Sequence, residues 1–286
     1  MSLQNVLNEA LNLAKFKNKE PEAIKFLLME LSGYTGSEFY MSLKKPIDPK
    51  LKERFFKAVE IYLEKDIPVQ HILGYSYFYG YQFEVNNDVL IPRRETEELV
   101  EYILIYADKY LTEKETLKVL DLGSGSGCIA ISLSLENQKM QVLATDISEK
   151  ALNTAKRNNE KLNARVSFRQ SDLFSEINET FDIIVSNPPY IPDEEILEEI
   201  VKKEPHLALF GGKKGLDFYE RILKEASQYL HEDGLIAFEH GYQQKEDIKA
   251  LAETYFKKAT IIQKQDMQGK DRFTFVCLGG LVDEKR

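Results

Sequence analysis

The stretch "SNPPYIP", residues 186–192, closes a run of five residues, Asp182-Ile183-Ile184-Val185-Ser186, that reads as a buried strand. An asparagine and two consecutive prolines follow, so the last polar side chain sits on stiff backbone. Asn187 offers a side-chain carbonyl, and Pro188 offers a main-chain carbonyl whose direction the Pro188–Pro189 step fixes. Together they can accept both hydrogens of a single –NH2 group, and Tyr190 can stack on the planar group that carries it. A nitrogen conjugated to a π-system is a poor nucleophile. Holding both its hydrogens and fixing its line of attack is the chemistry such a pair of acceptors serves. A strand-ending turn alone would explain the prolines but needs neither the amide nor the ring.

A second cluster lies upstream. "VLDLGSGSGCIAISLSL" reads as strand, Gly-rich loop and helix, with Gly123, Ser124, Gly125, Ser126 and Gly127 forming the loop. Its spacing is GxGxG, not the GxGxxG of a dinucleotide site. Asp146 ends the next strand, "VLATDIS", 19 residues after Gly127. A carboxylate there can accept two ribose hydroxyls; its alternative role, capping the following helix, can be filled by Ser148. Asp121, just before the loop, could orient the loop or meet a ligand amino group. In "QSDLF", Asp172 or the Leu173 main chain is placed to reach an adenine, with the Leu173 side chain against the ring.

The elements that must position these residues follow from periodicity. Val6, Leu7, Ala10, Leu11 and Ala14 recur at helical spacing; Pro21 opens a second helix ending near Gly33, and Pro49 opens another carrying Leu51, Phe55, Ala58, Val59 and Tyr62. Residues 1–72 are expected to form a small helical domain that docks a protein substrate. Residues 73–92 are expected to form a β-hairpin linker, with aromatic strands from Tyr75 to Phe83 and a turn and returning strand in "VNNDVLIP". Residues 93–286 then alternate strands and helices, which predicts a doubly wound, mainly parallel α/β sheet. The last two strands, near 259–265 and 271–278, are joined by only "QDMQGKD", too short for a parallel crossover, so the final strand is expected to be antiparallel. The tail "VDEKR" is expected to fray.

Bulk properties exclude several classes. A net charge of −9 and pI near 5.2 argue against direct, nonspecific nucleic-acid binding. No stretch approaches 18 apolar residues and the start does not read as a signal peptide, so no membrane association and a cytoplasmic location are expected. Cys128 and Cys277 read as buried free thiols. The four histidines show no metal-ligand spacing, and no metal is expected. Nothing demands an oligomer, so a monomer is expected.

Loop spacing, acid spacing and the antiparallel last strand resemble the seven-stranded, Rossmann-like class I methyltransferases that use S-adenosylmethionine. More closely, the chain resembles the bacterial protein-(glutamine-N5) methyltransferases that modify peptide chain release factors. The likeness runs through "PVQHILGYSYFYGYQFEVNNDVLIPRRETEELV", "DLGSGSGCIA", "IVSNPPYIP", "EPHLALFGGKKGLDFYERI", "FEHGYQQ" and "QGKDRFTFV". The resemblance implies methyl transfer from S-adenosylmethionine, leaving S-adenosylhomocysteine, to the glutamine of the Gly-Gly-Gln motif, in support of translation termination. Carried over by position, 123–127, Asp146, Leu173 and Asn187 would meet the cofactor, and Asn187, Pro188, Pro189 and Tyr190 would hold the glutamine amide. This chain departs from the family in Leu173, where an aromatic is frequent, and in Arg94, where "RPETE" is common. Arg93 and Glu97 are candidates to line the cofactor mouth, His240 is read as structural, and "GGKKG" is read as a mobile loop near the cleft. The rival acceptors are a ribosomal-protein glutamine and, since the same tetrapeptide serves adenine-N6 enzymes, a nucleic-acid base.

Overall fold

The computed structural model describes residues 1–279, so the tail 282–286 lies outside the described residues. The chain divides into two compact units, Met1–Tyr75 with Leu197–Lys203, and Ser76–Ile196 with Glu204 onward.

The first unit holds α1 (Leu3–Phe16), α2 (Pro21–Ser32), α3 (Gly36–Ser42), α4 (Pro49–Lys65) and α5 (Val69–Leu73). Its boundaries follow local chemistry. Pro21 and Pro49 occupy the first turns of α2 and α4, Asp48 accepts from the Leu51 N–H at 2.9 Å, and Gly33 ends α2 in the left-handed conformation. Val6, Leu7 and Ala10 of α1, Ile24, Leu27 and Leu28 of α2, and Phe55, Val59 and Tyr62 of α4 share one core. Helices α3 and α5 are too short to show a repeat in the sequence, and neither was expected from it.

The hairpin β1 (Tyr75–Phe78) and β2 (Tyr81–Glu84) belongs to the second unit from Ser76 onward. The expected hairpin exists but its turn lies elsewhere. Tyr79 (φ 51°) and Gly80 (φ 80°) make a two-residue turn, both residues left-handed. At 86–88 the Asn86 side chain accepts from the Asp88 N–H at 2.8 Å, and no strand returns from that turn. Next come α6 (Arg94–Tyr110), β3 (Leu117–Leu122), α7 (Cys128–Glu136), β4 (Met140–Asp146), α8 (Glu149–Leu162), β5 (Ser167–Gln170) and β6 (Phe181–Ser186). The chain continues with α9 (Asp217–Ala226), β7 (Leu230–Glu239), α10 (Lys245–Tyr255), β8 (Thr260–Gln265) and β9 (Asp271–Cys277).

Seven strands form one sheet in the order β5-β4-β3-β6-β7-β9-β8. All pair in parallel except β9, which runs antiparallel to both β7 and β8. Strand β6 is buried at every position, as a central strand covered on both faces must be. Alternate residues serve opposite faces. Leu99 and Ile103 of α6 and Ile129 and Leu133 of α7 join Val119, Val142, Ile183 and Leu235 in one core. Tyr219, Ile222 and Leu223 of α9 and Ile248 of α10 join Leu120, Ile184, Ile236 and Val276 in the other. At the start of β6, buried Asp182 accepts from Lys114 Nζ (2.6 Å), the Lys118 N–H (2.7 Å) and His231 Nδ1 (2.8 Å). That set ties the N-terminal ends of the central strands together. Both cysteines are buried and free, as expected.

Candidate active site

A cavity of about 250 Å³ lies beyond the C-terminal ends of β3, β4 and β6, at the point where strand order reverses on either side of β3 and β6. Ligands of open α/β sheets bind at such points. Gly123, Ser124, Gly125 and Ser126 line it, with Asp146 beside them. Gly125 has φ +56° and open space where a Cβ would stand, so the loop's backbone is bare toward the cavity. Gly127 does not line the cavity; it begins α7 in the left-handed conformation. Asp146 accepts from the Gly125 N–H (2.9 Å) and the Ser148 N–H (2.8 Å), and Ser148 itself caps α8. One oxygen of the carboxylate thus fixes the loop while lone pairs remain for a ligand. Burial raises the Asp146 carboxyl above its usual range, against those two donors.

Asp121 is fully buried and is not part of the cavity wall. Its Oδ2 accepts from the Ser124 hydroxyl at 2.7 Å and Oδ1 has no partner; burial pushes its pKa up to about 7. Of its two candidate roles, orienting the loop is the one the geometry carries. Asp172 and Leu173 both line the cavity, Leu173 with φ +51°. The Asp172 carboxylate is paired with Arg221 at 2.8 Å.

At the end of the neighbouring β6, Asn187, Pro188 and Pro189 also line the cavity. Ser186 anchors the strand end by donating to the Leu122 carbonyl at 2.7 Å. Asn187 Nδ2 donates to Thr96 Oγ1 at 3.2 Å, so the orientation of the amide leaves Oδ1 to other partners. The Tyr190 ring is not part of the cavity wall; it packs partly into the core beneath α9 and α10. Burial pushes its phenol up to about 12, so it is neutral at ordinary pH.

The segment 211–215, expected as a loop near the cleft, is hydrogen-bonded to the motif. The Gly211 N–H donates to Ile191 O and the Ile191 N–H to Leu209 O. A Cβ on Gly211 would stand 2.2 Å from Pro189 O, and one on Gly215 2.0 Å from Tyr190 O. Gln244 completes the clasp: Nε2 donates to Tyr190 O (2.8 Å) and Gly215 O (3.1 Å), and Oε1 accepts from the Gly241 N–H (2.9 Å).

The 88–93 stretch forms another side of the cavity. Arg93 lines it and pairs with buried Glu204, which also accepts from the Ile91 N–H at 2.9 Å. Glu97 does not line it; its carboxylate accepts from the Tyr79 N–H at 3.0 Å, and Thr96 takes the lining position. His240 is fully buried between Gly241 O and the Thr274 hydroxyl. Burial lowers its pKa, so it is a neutral structural residue. Asn158 went unnoticed in the sequence. Fully buried, it donates to Glu84 O and Ser126 O and accepts from the Glu84 N–H, joining the hairpin to the glycine loop. Thr96, Glu204 and Gln244 also escaped notice as site residues, because each acts through a contact distant in sequence.

The fold and the site define a methyltransferase of the seven-stranded, Rossmann-like class. Residues 108–268 match the methyltransferase small domain family, and residues 4–74 match the PrmC N-terminal domain. The chain is 43% identical to the release factor glutamine methyltransferase of Bacillus subtilis, over 89% of this chain and 90% of that one. It is 37% identical to the protein of that name from Streptococcus pneumoniae, over 91% and 92%. Accordingly, the chain belongs to the release factor glutamine methyltransferase family. Solved structures share the fold. The hMettl16 catalytic domain bound to an RNA hairpin superposes with a TM-score of 0.57 at 14% identity, covering 92% of each chain. A methyltransferase from Pyrococcus furiosus does so with a TM-score of 0.52 at 19% identity, over 82% of this chain and all of that one.

Proposed function

We propose that this protein transfers a methyl group from S-adenosylmethionine to the side-chain amide nitrogen, N5, of the glutamine in the Gly-Gly-Gln motif of peptide chain release factors. The observation that carries the reading is the Asn187 amide at the end of β6, pinned through Nδ2 to Thr96 and standing on the cavity wall beside Pro188. The cofactor's fit rests on the bare backbone at Gly125 and the unspent lone pairs of Asp146. Gly123, Ser124, Gly125, Ser126 and Asp146 would hold it, with Leu173 beside its base. When bound, the cofactor supplies an electrophilic methyl on sulfonium sulfur.

The remaining work belongs to the chain. Asn187 Oδ1 and Pro188 O each accept one hydrogen of the glutamine –NH2. That grip fixes the nitrogen's direction of attack and lets its lone pair turn out of conjugation. Walls at 88–93 and 205–208 limit water at the reacting nitrogen. The nitrogen's surplus proton is acidic once the methyl is attached, so no basic residue is needed at the outset. Tyr190 keeps the motif in place through its carbonyl, which accepts from Gln244 Nε2, while its ring packs against the core. Mass spectrometry of a release factor incubated with the enzyme and cofactor tests the proposal. A gain of one methyl on the Gly-Gly-Gln peptide is expected; no gain there, with methylation of a ribosomal protein or nucleic acid instead, would overturn it.

A further inference from the structure

Nothing within the tetrapeptide decides which end of the Asn187 carboxamide faces the acceptor. The two ends are almost the same size, yet only Oδ1 can accept a hydrogen; an outward –NH2 would repel the glutamine –NH2. We propose that Thr96 and Glu239 are positioning residues that set the orientation of the Asn187 amide, and that they do so only while Glu239 is a carboxylate. The inference rests on the role given to Asn187 above.

Thr96 is buried in the first turn of α6, where its N–H donates to Arg93 O at 3.2 Å. Its Oγ1 accepts from Asn187 Nδ2 at 3.2 Å. A hydroxyl has one hydrogen, and here that hydrogen must point away from Asn187. Glu239, whose charged form Thr96 stabilises, is the acceptor we assign to it. It is the last residue of β7, one step beyond the Ser186–Phe238 pair, so it stands level with Asn187 on the neighbouring strand. It is 1% exposed, its main-chain carbonyl accepts from the Tyr219 hydroxyl at 2.7 Å, and its Oε2 has no partner. Thr96 and Asn187 both stabilise its charged form as hydrogen-bond donors. Glu239 is not part of the cavity wall, whereas Thr96 and Asn187 are. It therefore acts through them and not on the substrate.

The polarity of this set depends on one proton. A carboxylate only accepts, so Thr96 donates to it and must accept from Asn187. A carboxyl group donates, which frees the Thr96 hydrogen to turn toward Asn187 and allows the amide to turn over. Burial pushes Glu239 up to about 7, with Thr96, Arg272 of β9 and Asn187 pulling it down and Glu95 of α6 pushing it up. Tyr190, Cys128 of α7 and Tyr219 of α9 also face it, and burial raises the pKa of each, which keeps them neutral.

The test compares Glu239→Gln, Thr96→Val and Thr96→Ser with the wild type on a release factor, measuring kcat, KM and cofactor affinity from pH 5.5 to 9. Wild-type kcat is expected to fall on the acid side through the region of 7. Glu239→Gln should lower kcat by about tenfold and abolish that acid limb, with cofactor affinity nearly unchanged. Thr96→Val should lose about as much, and Thr96→Ser should restore it. Thr96→Val matching Thr96→Ser, or an acid limb that survives in Glu239→Gln, would overturn the inference. Should Glu239→Gln fail to fold, the wild-type profile and the Thr96 pair decide alone. If the wild type leaves the release factor unmethylated, it is the proposed function that fails. If Asn187→Ala abolishes glutamine methylation while these variants do not alter it, only this inference fails.

Discussion

At the scale of single residues, the site is a set of acceptors fixed by their surroundings. Asn187→Ala would remove one of the two acceptors we propose for the glutamine –NH2. Turnover is expected to drop by roughly 10²- to 10³-fold, the usual effect of losing one oriented polar group, while cofactor affinity falls only a few-fold. Single-turnover assays beside calorimetry check this, and unchanged turnover would remove Asn187 from its role. Gly215→Ala probes the brace behind the motif. The new Cβ would sit 2.0 Å from Tyr190 O and 2.6 Å from Gln244 Nε2, at φ +69°. Relief requires Tyr190 or the 211–215 segment to move, at about 1–3 kcal/mol. Turnover should fall further than cofactor affinity does; equal losses would mean that the brace supports the whole cavity and not the motif in particular. These residues also mark what was legible. Asn187, the glycine loop and Asp146 stand out in the sequence because type and spacing already state their chemistry. Gln244 lies 54 positions from Tyr190, and the four main-chain partners of its side chain exist only once the fold has formed.

At the scale of elements, two anchors govern the site from outside it. Asn158 on α8 ties β2 to the glycine loop through three buried hydrogen bonds. Asn158→Ala leaves Ser126 O and the main-chain N–H and carbonyl of Glu84 without that partner, and should destabilise the protein by about 2–4 kcal/mol. Urea unfolding with and without cofactor measures the cost; a loss under about 0.5 kcal/mol would show that water replaces the bonds. Asp182 anchors the opposite end of β6. Burial alone would raise its carboxyl, but Lys114, His231 and the Lys118 N–H outweigh burial and hold it below its ordinary value. A lowered folded-state pKa adds stability above the unfolded value of about 4, and that stability is lost as pH falls through the folded value. Asp182→Asn should therefore flatten the decline of stability below about pH 4, read from unfolding midpoints across acid pH. A decline as steep as that of the wild type would assign it to other carboxylates. The sheet's topology was readable because Ile183-Ile184-Val185 and "VLATD" are apolar runs of strand length. The hairpin turn was misplaced because "NND" is a stronger turn signal than Tyr79–Gly80, although Gly80 supplies the needed positive φ.

At the scale of the whole molecule, the two units have separate cores. Helices α1–α5 carry none of the residues around the cavity. We assign them to docking the release factor. Removing residues 1–72 should raise KM for the release factor, or abolish its methylation, while leaving cofactor binding measurable by calorimetry. An unchanged KM would place docking elsewhere.

The position of β9 inside the sheet, between β7 and β8, governs how the chain can be made. While the ribosome is still extending it toward Cys277, β8 has no strand to pair with and β7 presents an open edge. Glu239 pairs in register with Phe273 of that late strand, and the neighbouring Arg272 carbonyl accepts from the His240 N–H at 2.9 Å. Without β9, the strand that carries Glu239 loses the partner along its edge behind Asn187. Chains cut short before residue 271 lack β9 and are therefore expected to express as an aggregation-prone species without methyl-transfer activity.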